Sequence, residues 1–397
     1  MKKLLMLFVM LFACCMFVAC NKEEEIRRPL EEVTEINLGG SGPVEGDYAV
    51  YGTTTLKGIQ LAIEEINADG GVQLGDKKVP FKLVGFPNDG GDPTKAATNL
   101  NTLVGQNVDV VIGAVTSGAT EGLIGEAVKV GVPVITPTGT ADKLTVGEKG
   151  DDRANRENVF RACFYDSYQG EFMAKYAKAQ GYEKAFVLFN NDDAYSVGLK
   201  DSFVKTAAAE GVATEVVSYA AATKDFTTQW DKIIAEGYTC VYIPDYYQVV
   251  YTIIKAGAAA GYEGVIYGGD GWDGVTTQFN EGDQFDTAFL EQCYYTNHYF
   301  GGSDAEAVKT FVEAYKAKYN GEEPASFAAL GYDAVYMVKQ AIEAAGSLEY
   351  DDVTKALNDC EFSGLVTSAK SFKFVNGSPA KDAVVLTFKD GKEGEAK

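Results

Sequence analysis

The sequence predicts an α/β protein of two similar lobes, each a doubly wound parallel sheet with helices on both faces. Three observations carry this. Short β-branched apolar runs alternate with helical patterns of roughly 10 to 15 residues, the rhythm of β/α units that feed parallel strands. The series runs once from Glu35 and starts again after Asp166. The 397 residues also exceed what a single core usually serves.

Residues 1–19 read as a leader outside the fold. Lys2 and Lys3 precede the apolar run 4–18, which ends at Ala19-Cys20 and a polar stretch, 21–25. A charged start, an apolar centre and a small residue before the cleavage point make a secretory signal. The run is shorter than the roughly 20 apolar residues a membrane span needs. A charged linker extends to Thr34, so residues 20–34 read as a tether.

The first strand, 35–38, enters a glycine-rich turn. Leu56, Ile59, Ile63 and Ile66 then give a helical spacing that stops at Asp69-Gly70-Gly71. Residues 79–86 read as a strand, and Asp92-Pro93 offers an N-cap and a proline at the first position of a helix over 94–103. Residues 108–112 and 132–136 are continuous apolar runs, the pattern of strands covered on both faces, with a helix over 123–130 between them. A strand at 158–163 closes the first series. The second has strands at 184–189, 214–219, 239–243 and 264–267, separated by helices near 169–178, 197–209, 226–235 and 249–259. A strand at 294–300, helices over 304–319, 327–345 and 351–357, and a hairpin-like pair, 371–375 and 383–388, follow. The pair flanks Asn376-Gly377, a strong turn dipeptide.

Both apolar runs of the first series break into hydroxyl-bearing residues: Thr116, Ser117, Gly118 and Thr120 after one, Thr138, Gly139 and Thr140 after the other. In an open parallel sheet, ligands sit outside the carboxyl ends of the strands, where helix N-termini offer free N–H groups. Ordinary helix capping explains either cluster alone; two on neighbouring strand ends point to a crevice. The strands of equal rank in the second series end at Pro244-Asp245-Tyr246-Tyr247 and Gly269-Asp270-Gly271-Trp272. If the lobes face each other, hydroxyls and helix N-termini oppose a carboxylate and aromatic rings, which suits a small zwitterion. Tyr51, Tyr195 and Tyr246 fall at strand-end loops, where a chance placement among 23 tyrosines and a binding role are both open.

Other chemistries are disfavoured. A net charge of −22 argues against nucleic acid, whose phosphates need a basic surface. Cys163, Cys240, Cys293 and Cys360 are too widely spaced for a zinc motif; the first three read as small buried residues, and a bridge between two of the four stays open. Gly269, Gly271 and Gly274 match G-x-G-x-x-G, but a poor helix follows and Trp272 would crowd a pyrophosphate. His298, the only histidine, sits in a strand-like run where packing is the simpler reading. Asp89/Asp92 and Asp192/Asp193 lack calcium-loop spacing and read as solvated turn residues.

The stretches SGPVEGDYAVYG, GIQLAIEEINADGG, VIGAVTSGAT, VPVITPTGTA, VFRACFYDSYQG, NNDDAYSVG, KDFTTQW and FSGLVTSAKSFKF together resemble the leucine/isoleucine/valine-binding type of periplasmic binding protein (type I), the solute receptors of ABC importers. The resemblance spans nearly all the chain after the leader. It implies a hinge of three crossovers near 164, 298 and 365, with lobe one over 35–163 plus 299–365 and lobe two over 164–298 plus 366–397. It also implies that Ser117 and neighbouring backbone N–H groups hold a ligand carboxylate. The Thr138 carbonyl, Thr140 hydroxyl and Asp270 would then hold the α-ammonium, with Tyr51, Tyr195 and Tyr246 walling the cleft. Asp270 stands where branched-chain receptors have glutamate, and Thr138 where they have alanine, so the identity of the amino acid stays open. Cys20, at the first mature position, resembles the lipidated cysteine of a bacterial lipoprotein, although Phe17 replaces the usual leucine.

The expected function is that of an extracytoplasmic, lipid-anchored receptor, without catalysis, cofactor or metal, that closes on an amino acid and delivers it to an ABC permease in the cytoplasmic membrane. A ligand-sensing subunit of a membrane receptor is the alternative. An enzyme on the same fold is less favoured, because no coherent set of acid, base and nucleophile is visible.

Overall fold

The computed structural model describes residues 27–147, 153–279 and 287–396. The expected leader and Cys20 lie outside the described residues.

The first lobe is built on strands β1 (Ile36–Ser41), β4 (Phe81–Gly85), β5 (Val110–Gly113), β6 (Val134–Thr136) and β7 (Val159–Arg161). They form an all-parallel sheet in the order β4-β1-β5-β6-β7. Helices α1 (Ala49–Ala68), α2 (Pro93–Gly105), α3 (Ser117–Val130) and the short α4 (Lys143–Val146) connect them. A small hairpin, β2 (Val72–Leu74) with β3 (Lys77–Val79), lies ahead of the strand expected at 79–86; Val72, Leu74 and Val79 anchor it in the core. Val110, Ile112 and Ile135 pack in one core cluster and Val111 and Val134 in another, so these strands are covered on both faces.

The second lobe repeats the order. Strands β8 (Lys184–Asn190), β9 (Ala213–Tyr219), β10 (Cys240–Tyr242), β11 (Val265–Gly268) and β12 (Cys293–Asn297) alternate with α5 (Asp166–Ala179), α6 (Ala194–Ala209), α7 (Thr227–Ala235) and α8 (Tyr247–Ala259). The chain then returns to lobe one with α9 (Glu306–Lys318), α10 (Ser326–Ala345) and α11 (Tyr350–Asp359), and ends in lobe two as the antiparallel edge β13 (Val384–Lys389) and β14 (Lys392–Glu395). The second sheet runs β14-β13-β12-β11-β10-β8-β9. α10 lies close on α1 because both carry glycine at the crossing: a Cβ on Gly58 would fall 1.9 Å from Ala328 O, and one on Gly331 2.5 Å from Thr55 O.

Residues 366–378 differ from the expected layout. Phe372 and Phe374 pack on Phe160 and Phe362 in the first-lobe core, and Arg161 N donates to Gly377 O at 2.9 Å. The passage to the second sheet therefore falls at 379–383 instead of near 365. Asn376 (φ 52°) and Gly377 (φ 73°) do make a tight turn, but it joins only Val375 to Ser378. The strand at 384–389 pairs instead with β12 and β14. Alternating apolar residues mark a strand without naming its neighbour.

Candidate functional site

In each lobe the strand order reverses at one place, between β1 and β5 and between β8 and β10, and the crevice outside those carboxyl ends is where a doubly wound sheet takes ligands. The two crevices face each other.

On the lobe-one side, β5 runs through Ala114–Thr116 into α3, whose first residue is Ser117. Thr116 takes the N-cap position yet makes no side-chain cap bond, so the first amides of a 14-residue helix are left uncapped. The loop after β6 is laced to this turn. Thr136 and Thr138 hydroxyls donate to Ala114 O (2.8 Å) and Val115 O (2.6 Å), and Ala141 N donates to Ser117 Oγ at 3.2 Å. The two hydroxyl clusters are thus one surface. Beneath it lies Arg161, fully buried, whose guanidinium donates to Gly139 O (3.1 Å), Thr140 O (2.6 Å), Ala141 O (2.9 Å) and Asp142 O (3.2 Å).

On the lobe-two side, Asp193 caps α6 by accepting from Tyr195 N and Ser196 N, which fixes Tyr195 in the first turn. The Tyr195 hydroxyl donates to Asp270 Oδ1 at 2.8 Å and accepts from Gly271 N at 2.7 Å. Gln169 Nε2 donates to the same oxygen at 2.9 Å, while Gln169 Oε1 accepts from Asp270 N and the Thr296 hydroxyl. His298 Nε2 lies 2.9 Å from Asp270 Oδ2. Asp270 is 2 % exposed, with contacts on both carboxyl oxygens. Nearby, burial first, then the charge of Asp142, holds the Asp166 carboxyl well above the usual range.

Tyr51 closes the gap. Its hydroxyl donates to Gly271 O and accepts from Tyr247 N at 3.2 Å, both in lobe two, and its ring stacks on Phe327 at 4.5 Å. Tyr246 meets Tyr195 in a stack (4.8 Å) and Tyr51 edge-on (5.7 Å). Two further contacts tie the lobes: Tyr247 OH donates to Asp47 O at 2.7 Å, and Ser326 N, at the start of α10, donates to Asp273 Oδ2 at 2.8 Å. Burial pushes the Asp273 carboxyl up to about 6.

The structure brings Tyr51, Ser117, Thr138, Thr140, Tyr195, Tyr246 and Asp270 to the wall of one narrow cavity, together with Val115, Thr116, Gly271 and Phe327. The Thr138 hydroxyl is spent inside lobe one, on Val115 O. Sequence reasoning missed Gln169, Phe327 and Arg161, and it favoured packing for His298. Two glycines of the dinucleotide-like motif are explained by Tyr195, since a Cβ on Gly269 or Gly271 would come within 2.7 Å or 2.9 Å of it; the third, Gly274, has φ 90°. Asp89, expected to be solvated, is buried, accepting from Ser41 Oγ (2.7 Å) and Gly91 N (2.9 Å). Cys163, Cys240, Cys293 and Cys360 are free thiols.

The site has the layout of a two-lobed solute receptor, and comparison with known proteins agrees. The periplasmic binding protein family matches residues 35–393. The chain is 31 % identical over 331 residues to the Leu/Ile/Val-binding protein homolog 3 of Brucella melitensis, covering 82 % of this chain and 83 % of that one. It is 26 % identical over 326 residues to a leucine-, isoleucine-, valine-, threonine- and alanine-binding protein of Pseudomonas aeruginosa, covering 81 % and 82 %. Among solved structures it resembles the branched-chain amino acid transporter substrate-binding protein LivJ of Streptococcus pneumoniae in complex with isoleucine. That likeness has a TM-score of 0.80 at 28 % identity and covers 91 % of this chain and 99 % of that one. The chain belongs to the periplasmic binding protein family.

Proposed function

We propose that the protein captures an amino acid zwitterion between its lobes, releases it unchanged to an ABC permease, and is held at the outer face of the membrane by lipid on Cys20. The observation that carries the ligand reading is the opposition, across one cavity, of the uncapped α3 N-terminus with Ser117 and of the Asp270 carboxylate. A helix N-terminus favours a carboxylate, and a desolvated carboxylate favours an ammonium. In this reading Ser117 and the adjacent amides take the ligand carboxylate. Thr140, the Thr138 carbonyl and Asp270 take the ammonium, and Tyr51, Tyr195 and Tyr246 wall the rest. The named ligands of the relatives, leucine, isoleucine, valine, threonine and alanine, all carry these two groups. We assign lobe one to 35–163 with 299–378 and lobe two to 164–298 with 379–396.

A thermal-shift screen against the common amino acids tests the ligand reading. A ligand bound only by the folded form stabilises by about 2.7 kcal/mol at 100 times its Kd, so at least one amino acid at millimolar concentration raises the melting temperature by several degrees. No shift with any of them removes the reading. For the anchor, Cys20→Ser releases the protein from the membrane fraction; retention of the variant at the parent's level counts against lipid on Cys20.

A further inference from the structure

Asp270 is reached from the hinge by the chain's only histidine. His298 follows β12, where the chain leaves lobe two, and its ring stacks at 3.8 Å on Phe164, where the chain first enters lobe two. Its Nε2 meets Asp270 Oδ2 at 2.9 Å, while Nδ1 is buried with no partner. These contacts fix the tautomer. A carboxylate only accepts, so the proton facing it sits on Nε2, and Nδ1 keeps a bare lone pair. A second proton on Nδ1 would have no acceptor. The charged and titratable groups that act on the ring are Asp270 and Lys381, the latter buried at the third crossing, and Asp270 acts in turn on Asp166. Burial, the largest influence, pushes the imidazole below its usual range, with Lys381 acting in the same direction and Asp270 opposing both.

We infer that His298 is a positioning residue for the cleft: a neutral imidazole that orients Asp270 toward a ligand ammonium without neutralising its charge, and that couples it to two of the crossings between the lobes. This rests on the amino-acid reading above and goes beyond it. An imidazolium here would pair with Asp270 and compete with the ligand. A hydrophobic ring here would fill the space but leave Oδ2 one donor short.

Because the histidine is unique, imidazole 15N spectra of tag-free protein report it directly. The expected result at pH 7, with no amino acid added, is a neutral ring protonated on Nε2; an imidazolium, or a ring protonated on Nδ1, overturns the inference. Titrations with leucine, isoleucine, valine, threonine and alanine then compare two variants. His298→Gln keeps an N–H donor and stays within about threefold of the parent, whereas His298→Phe keeps the stacking on Phe164 and loses about tenfold or more, the value of a hydrogen bond to a charged group. The opposite order, with Phe tolerated and Gln damaging, makes His298 a packing residue and overturns the inference. If the parent binds none of the common amino acids, the amino-acid reading itself falls, and the spectra, which need no ligand, still show whether the imidazole is neutral against Asp270.

Discussion

Asp270→Asn weakens amino acid binding by roughly a hundredfold or more. The carboxylate is 2 % exposed and faces the α3 N-terminus across the cavity, so closing the lobes takes water away from any ammonium it meets. A desolvated charge left without its partner costs on the order of 3 to 5 kcal/mol. The substitution is mild for the fold. The Asn carbonyl can still accept from Tyr195 and Gln169, and its amide can donate to His298 Nε2 at the cost of one ring proton moved to the partnerless Nδ1. Calorimetric titration decides, alongside a melting curve of the unliganded variant to show that its stability matches the parent. An affinity within a factor of three removes Asp270 from the site and with it the ammonium half of the binding scheme.

Arg161→Met destabilises the protein by about 3 to 5 kcal/mol, seen as a fall of several degrees in melting temperature without ligand. Arg161 forms no ion pair among the described residues; it replaces one with four successive carbonyls, Gly139 to Asp142, and the Thr145 hydroxyl. Methionine fills the same volume and donates nothing, so several buried acceptors lose their partner at roughly 1 to 3 kcal/mol each, partly recovered by relaxation. Lysine keeps the charge but not the planar fork, and falls between the two. Melting within a degree of the parent would show that the loop needs no such support.

The parts of the site that sequence disclosed were those written in local pattern. Ser117, Thr138, Tyr246 and Asp270 each follow a short apolar strand, and the β/α rhythm tells which end of the strand faces the crevice. Partners set by tertiary contact were hidden. Gln169 lies 101 residues from Asp270, and His298 lies 28 residues beyond it in an apolar stretch, so neither neighbourhood hints at a carboxylate. Arg161 closes a strand and looks like an edge charge until the loop of 139–142 folds over it. The same limit governed 372–374, whose alternation fits either sheet.

The contact between Asp273 and the first amide of α10 completes a helix end in one lobe with a carboxylate from the other. A missing cap costs about 1 kcal/mol, and the bridge from the Tyr247 hydroxyl to Asp47 O adds a term of similar size. Both belong to the closed form whatever occupies the cleft, and neither depends on the shape of an amino acid. They therefore act as a gain control: they set the fraction of receptor already closed, and apparent affinity scales with that fraction for every ligand alike. Sensitivity can drift through residues at this seam while the ranking of ligands, written in the cavity wall, stays where it is.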